Sequence, residues 1–158
     1  MTNAIETWFA VQRLHAEVAR VLDAGDYPSW PAFFTDDAVY RVQSRENFDR
    51  GLPLATIRLE SRAMLQDRVT GATDTIFHDP YYQRHVIGPP VILQDDGSTI
   101  ECESSYIVIR THRDAMPEIL SVGCYLDRIV LVDGQRRFQQ RLCIFDNDLI
   151  PNSLIYPI

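Results

Sequence analysis

The sequence contains no lysine: all 15 of its Lys and Arg positions are arginine, against 22 acidic residues, for a formal net charge of −7. An acidic chain with scattered arginines excludes a nucleic-acid surface, which needs clustered cations to replace the counterions it displaces. Arginine without lysine suits planar ion pairs and interfaces, although genome composition produces the same bias. No apolar run approaches the ~20 residues that cross a bilayer, which excludes a spanning helix. The start, MTNAIETWF, lacks the basic stretch and apolar run of a secretory leader. Cysteine is scarce as well. Cys102, Cys124 and Cys143 are far apart and odd in number, which excludes a disulfide framework and a CxxC metal knuckle. Each lies in an apolar strand-like run and reads as a buried reduced thiol. The expected compartment is the cytoplasm.

The motifs of the commoner chemistries are missing too. There is no GxSxG elbow, and no cysteine has an evident histidine partner. GxGxxG and GxxxxGK[ST] are both absent, so nucleotide binding has no support. No cysteine is followed by the paired histidine of a Rieske cluster. A mononuclear iron site needs two histidines and a carboxylate converging with open positions. His78 and His85, with Asp79 between them, have a spacing that suits a helix, but Pro80, Tyr81 and Tyr82 argue against one there. His15 and His112 have no carboxylate at a ligand-like spacing. No metal or cofactor is therefore expected on this chain.

What is present describes an ordinary globular domain. The chain has 158 residues, 46% hydrophobic and 23% charged. That length predicts one domain, 1–158, able to bury roughly 70% of its unfolded surface. Residues 4–24 read as an amphipathic helix with Val11, Leu14, Val18, Val21 and Leu22 on one face, extended by Trp8 and Phe9. Thr2 or Asn3 caps it and Gly25 ends it. A short helix over Ser29–Phe34 leads to a strand at Val39–Gln43, and residues 44–60 read mostly as a loop. Ser61 caps a further helix, with Met64, Leu65 and Val69 as its stripe and a break at Gly71.

The hydrophobic period then changes to two. Strands are predicted at Val86–Leu93 (bent by Pro89-Pro90), Ile100–Thr111, Glu118–Val132 and Gln135–Asp146. Asp95–Ser98 and Asp133-Gly134 supply the turns, and Gly123 reads as a bulge or bend. Helices followed by a meander of long strands give an α+β domain, with helices packed in a strongly curved antiparallel sheet that makes a cone. There is no repeat, linker or low-complexity segment. The tail, 150–158, is apolar and lacks a basic residue. Loose termini are normally polar, so burial is expected, in its own fold or against a neighbour.

Two readings of the chemistry remain open. Asp36, Asp37, Tyr40, His85 and Asp127 are candidates for acid–base work in an apolar cavity, where burial shifts their pKa values. Asp127 and Arg141 also read as a cross-strand pair. The run Tyr81-Tyr82-Gln83-Arg84-His85 reads as an interface, because tyrosine and arginine dominate binding hot spots.

Several segments in order, WPAFFTDDAVYRV, ENFDRGLPLA, MLQDRV, HDPYYQRHVIG, GCYLDRI and RLCIFDNDLIPNSLIYPI, span nearly the whole chain. Together they resemble the small (β) subunits of aromatic-ring-hydroxylating dioxygenases. They are most similar to the salicylate 5-hydroxylase, anthranilate dioxygenase and terephthalate dioxygenase group. The resemblance implies the cone fold of nuclear transport factor 2. It implies a self-trimer that binds three catalytic large subunits in an α3β3 hexamer. The Rieske [2Fe-2S] cluster and mononuclear non-haem iron are then on the large subunit, and NADH or NADPH supplies electrons through a reductase, with or without a ferredoxin. The chain's part in this aromatic-catabolic oxidoreductase is structural. Contacts are expected at Tyr81, Tyr82, Arg84 and His85 toward the large subunit, with loop 44–54 as a second candidate. Outer sheet residues and the tail, including Ile155 and Tyr156, are expected in the trimer. The alternative is a free-standing isomerase or dehydratase on the same fold, using Tyr40, His85 and Asp127 around an enclosed cavity.

Overall fold

The computed structural model describes residues 3–76, 78, 80–149 and 154–158. Helix α1 spans Ala4–Asp23, and the Asn3 side chain caps it by accepting from the Ile5 amide at 3.1 Å. Its buried face carries Val11, Leu14, Val18, Val21 and Leu22, as the period predicts, and also Thr7 and His15. Trp8 and Phe9 do not extend that face: Phe9 is exposed, and Trp8 donates its indole N–H to the Pro90 carbonyl at 3.0 Å. A 3-10 helix, Tyr27–Phe33, carries proline in its first turn and buries Trp30.

Strand β1 is longer than its pattern suggested and runs Phe34–Ser44. The 44–60 stretch is more ordered than a loop. Ser44 caps a short helix α2, Arg45–Asp49, and Ile57–Leu59 forms an edge strand β2. Ser61 caps α3, Arg62–Thr70, by accepting from the Met64 amide at 3.2 Å. The helix does not break at Gly71; it widens into a π turn over Gly71–Thr75. Leu65 and Val69 face the core, whereas Met64 is exposed.

The remaining strands are β3 (Tyr82–Ile87), β4 (Val91–Asp95), β5 (Thr99–Thr111), β6 (Glu118–Val132) and β7 (Gln135–Phe145). Proline at 89 and 90 removes two amide donors, so the strand predicted over 86–93 is two strands. Both pair with β5, end to end along one edge, bridged by the Gly88 amide donating to the Ser105 carbonyl at 2.8 Å. The order across the sheet is β2-β1-β7-β6-β5-β3, with β4 also on β5. The sheet is not wholly antiparallel: β1 lies parallel to β7, which corrects the expectation from the meander. A chain that leaves β1 and returns only as its last strand has no hairpin to force an antiparallel pairing.

Asp133 and Gly134 both have positive φ, as the tight β6–β7 turn requires. Gly123 is not a bulge. It pairs regularly with Tyr106 and Phe145, and a Cβ there would lie 1.8 Å from the Ile144 carbonyl oxygen. Its role is close backbone approach. Helix α1 packs against β3 and β7, and α3 packs against β1 and the 3-10 helix. Trp30, Phe34, Tyr40, Tyr106, Tyr125 and Phe138 fill the space between helices and sheet.

Candidate functional site

Strand register sets the centre of the cone. Tyr40 on β1 is level with Arg141 on β7, Arg141 with Asp127 on β6, and Asp127 with Cys102 on β5. All four face the helices and are buried. The Arg141 guanidinium forks onto Asp127, Nε to Oδ1 at 2.9 Å and Nη2 to Oδ2 at 2.7 Å. It lies between the rings of Tyr125 and Phe138, at 4.2 and 4.1 Å from their centroids. The cross-strand pair read from the sequence is therefore real.

The sequence reading missed the third member, His15. From α1 its Nε2 donates to Asp127 Oδ2 at 2.8 Å, while the Ser104 hydroxyl donates to Nδ1 at 3.5 Å. These contacts suit a neutral ring with its proton on Nε2. The two residues are 112 positions apart, so spacing could not link them. The available signal was that His15 sits beside Leu14 on the apolar stripe of α1, where a histidine needs a buried partner.

Burial lowers the His15 pKa, and the Arg141 charge adds to this against the pull of Asp127. Burial pushes Asp127 upward, but the charge and hydrogen bonds of Arg141 outweigh it and leave the carboxyl below its usual range. Burial pushes the Cys102 thiol up to about 12. Ligand atoms of His15, Cys102 and Asp127 lie within 4.8 Å of one another. The set does not suit a metal ion, because both Asp127 oxygens are already engaged by a guanidinium that would repel a cation.

The remaining acid–base candidates are separated. The Tyr40 hydroxyl donates to the Ile158 carbonyl oxygen at 2.9 Å and accepts from the Ile158 amide at 3.0 Å. Burial raises its pKa well above the usual value. His85 points inward from β3, and its Nδ1 donates to Asp23 Oδ1 at 2.7 Å, at the end of α1. Tyr40, His85 and Asp127 therefore serve three separate networks and share no cavity wall. Asp36 pairs with Arg62, and Asp37 accepts from the Thr35 hydroxyl at 2.7 Å; both lie in β1 at the surface. Open clefts of about 700, 350 and 320 Å3 have none of Tyr40, His85, His15 and Asp127 in their walls, and a smaller one of about 190 Å3 has Asp127 but not the other three.

The aromatic run is an edge strand over most of its length. Its alternation sends Tyr82 and Arg84 outward, 70% and 71% exposed, and Gln83 and His85 inward. Tyr81 is half-buried, with its ring 4.9 Å from Tyr156 and 5.6 Å from His112, under the Arg110 guanidinium. Asp79 lies outside the described residues, as do tail residues 150–153. The end of the tail is buried within its own chain. Tyr156 stacks on Tyr27 at 4.5 Å, and Arg68 donates to the Ile155 carbonyl at 3.0 Å. Ile155 and Tyr156 thus pack within their own chain, one of the two placements open to the apolar tail.

Known proteins share this architecture. Residues 4–141 match the family model described as a SnoaL-like domain. The crystal structure of a Novosphingobium aromaticivorans protein, assigned as the beta subunit of an aromatic-ring-hydroxylating dioxygenase, superposes with a TM-score of 0.90 at 35% identity, covering 98% of this chain and 99% of that one. The anthranilate 1,2-dioxygenase small subunit of Burkholderia cepacia is 29% identical over 100% of this chain and 98% of its own length. A terephthalate 1,2-dioxygenase terminal oxygenase subunit, beta 2 of a Comamonas species, is 27% identical over the full length of both. The chain belongs to the SnoaL-like domain family and, within it, to the beta subunits of aromatic-ring-hydroxylating dioxygenases.

Proposed function

We propose that this chain, as one domain over 1–158, is the structural small subunit of a multicomponent oxygenase that hydroxylates an aromatic carboxylate. The carrying observation is that the three candidate acid–base groups are each engaged by their own fold. Asp127 is held by Arg141 and His15, Tyr40 by the tail and His85 by Asp23, so these three groups do not converge on a common substrate position. End-to-end similarity to small subunits of anthranilate and terephthalate dioxygenases supports the same reading.

In that assembly the chain trimerises and carries three large subunits. The Rieske cluster and mononuclear iron belong to those subunits, and electrons reach them from NADH or NADPH through a reductase. Tyr82 and Arg84, projecting from an edge strand, offer an aromatic face and a guanidinium to the large subunit. Leu52 and Leu54 form a second exposed apolar point, in loop 44–54. Val86, Ile107 and Ile119 stand exposed on the outer face of β3, β5 and β6, where a trimer contact would bury them.

Native mass spectrometry tests this. The chain alone should run as a trimer, and co-expression with the Rieske-type large subunit should give an iron-containing α3β3 species. A small oligomer that ignores the large subunit would overturn the proposal.

A further inference from the structure

A cleft of about 700 Å3 lies outside the cone, between α1, the 3-10 helix and the β6–β7 hairpin. Volumes of roughly 300–1,000 Å3 are those of small-molecule sites. Its floor is apolar, made by Leu14, Val21, Ala32 and Phe33, and its rim carries Arg13, Arg20, Arg136 and Arg137. Four guanidiniums face one opening on a chain whose net charge is −7.

Helical geometry explains half of this concentration: Arg13 and Arg20 are seven residues apart and share a face of α1. The hairpin explains the rest, because the turn at Asp133-Gly134 starts β7 with Arg136 and Arg137 opposite that face. Two carboxylates also line the cleft, Glu17 and Asp26. Glu17 is already neutralised by Arg13 at 2.8 Å. Arg136 lies near enough to Asp95 to help lower its pKa. Arg20 has no ion pair among the described residues. The lining thus holds four guanidiniums against two carboxylates.

We infer that this cleft is a binding site for a small organic acid, an apolar body bearing one or more carboxylates. Guanidinium forks match carboxylates in a plane, and they stack on flat rings as well. The apolar floor separates this ligand from a simple inorganic anion, which gains nothing from Phe33 or Val21.

Calorimetric titration of the purified full-length chain tests it, with benzoate and terephthalate as probes carrying one and two carboxylates. Saturable binding at roughly millimolar Kd or tighter is expected, with terephthalate the tighter. The pair Arg20→Gln with Arg137→Gln should weaken it by about tenfold or more at unchanged melting temperature. Arg128→Gln, on another face, should leave it unchanged and so separate site loss from loss of charge. Inorganic phosphate should not compete. Absence of saturation, binding indifferent to Arg20 and Arg137, or equal competition by phosphate would each overturn the proposal. So would loss of large-subunit association in the double variant without any acid binding, which would assign the rim to a carboxylate of the partner protein.

Discussion

At the scale of single residues, the buried group His15–Asp127–Arg141 controls how the protein responds to pH. An ion pair taken out of water stabilises little on balance, but removing one partner strands the other. Arg141→Met should therefore cost about 3–5 kcal/mol in urea unfolding, and Asp127→Leu with Arg141→Met together should cost less than Arg141→Met alone. The His15 pKa is lowered from 6.5 by burial, so below that value the unfolded chain takes up a proton that the folded ring resists. Stability should fall as pH drops from about 7 toward 5, and His15→Gln should flatten that slope in melting temperature against pH. Asp127 acts at lower pH: its depressed pKa contributes stability above 3.8, which is lost as pH falls through the folded value.

At the scale of elements, the backbone at Gly123 and the tail carry the sharpest constraints. Gly123→Ala places a methyl group 1.8 Å from a strand carbonyl that cannot swing away. A loss of more than about 3 kcal/mol, measured by denaturant midpoint, is expected. Tail residues 154–158 cover Cys143, whose Sγ lies 3.5 Å from the Ile158 carbonyl oxygen and whose pKa burial pushes up to about 12. All three thiols should resist Ellman's reagent in the folded chain, and deletion of 154–158 should make Cys143 react.

These elements also show what was legible in the sequence. The stripe of α1, the caps at Asn3 and Ser61 and the Asp133-Gly134 turn follow from local chemistry, and local chemistry is what a sequence displays. Ser44 as a cap for α2 is equally local, but the surrounding Gly51 and Pro53 hid it. The parallel β1–β7 pairing and the approach of His15 to Asp127 join positions about a hundred residues apart, and no window contains them. Tyr82 and Arg84 alternate outward while Gln83 and His85 alternate inward, a distinction that appears only once the run is recognised as a strand. The end of the tail showed its burial but not its host, because an apolar segment fits its own core or a neighbour's equally well.

At the scale of the whole molecule, a domain whose candidate acid–base groups are tied up in separate internal contacts presents its outer face as its working surface. Tyr82→Ala with Arg84→Ala should reduce co-purification of the large subunit several-fold at unchanged melting temperature, since both side chains are exposed. Val86→Arg, in the exposed row on β3, should shift the isolated chain from trimer toward monomer in analytical ultracentrifugation.

The parallel pairing of β1 with β7 also has a temporal meaning. A ribosome releases β1 long before β7, so the apolar edge of β1 waits with only the three residues of β2 beside it. The sheet cannot knit across its middle until β7 has emerged, about a hundred residues after β1, which makes folding slow and leaves an open strand edge meanwhile. Chaperone demand during synthesis, and better recovery when translation is slowed in the cold, follow from that one pairing.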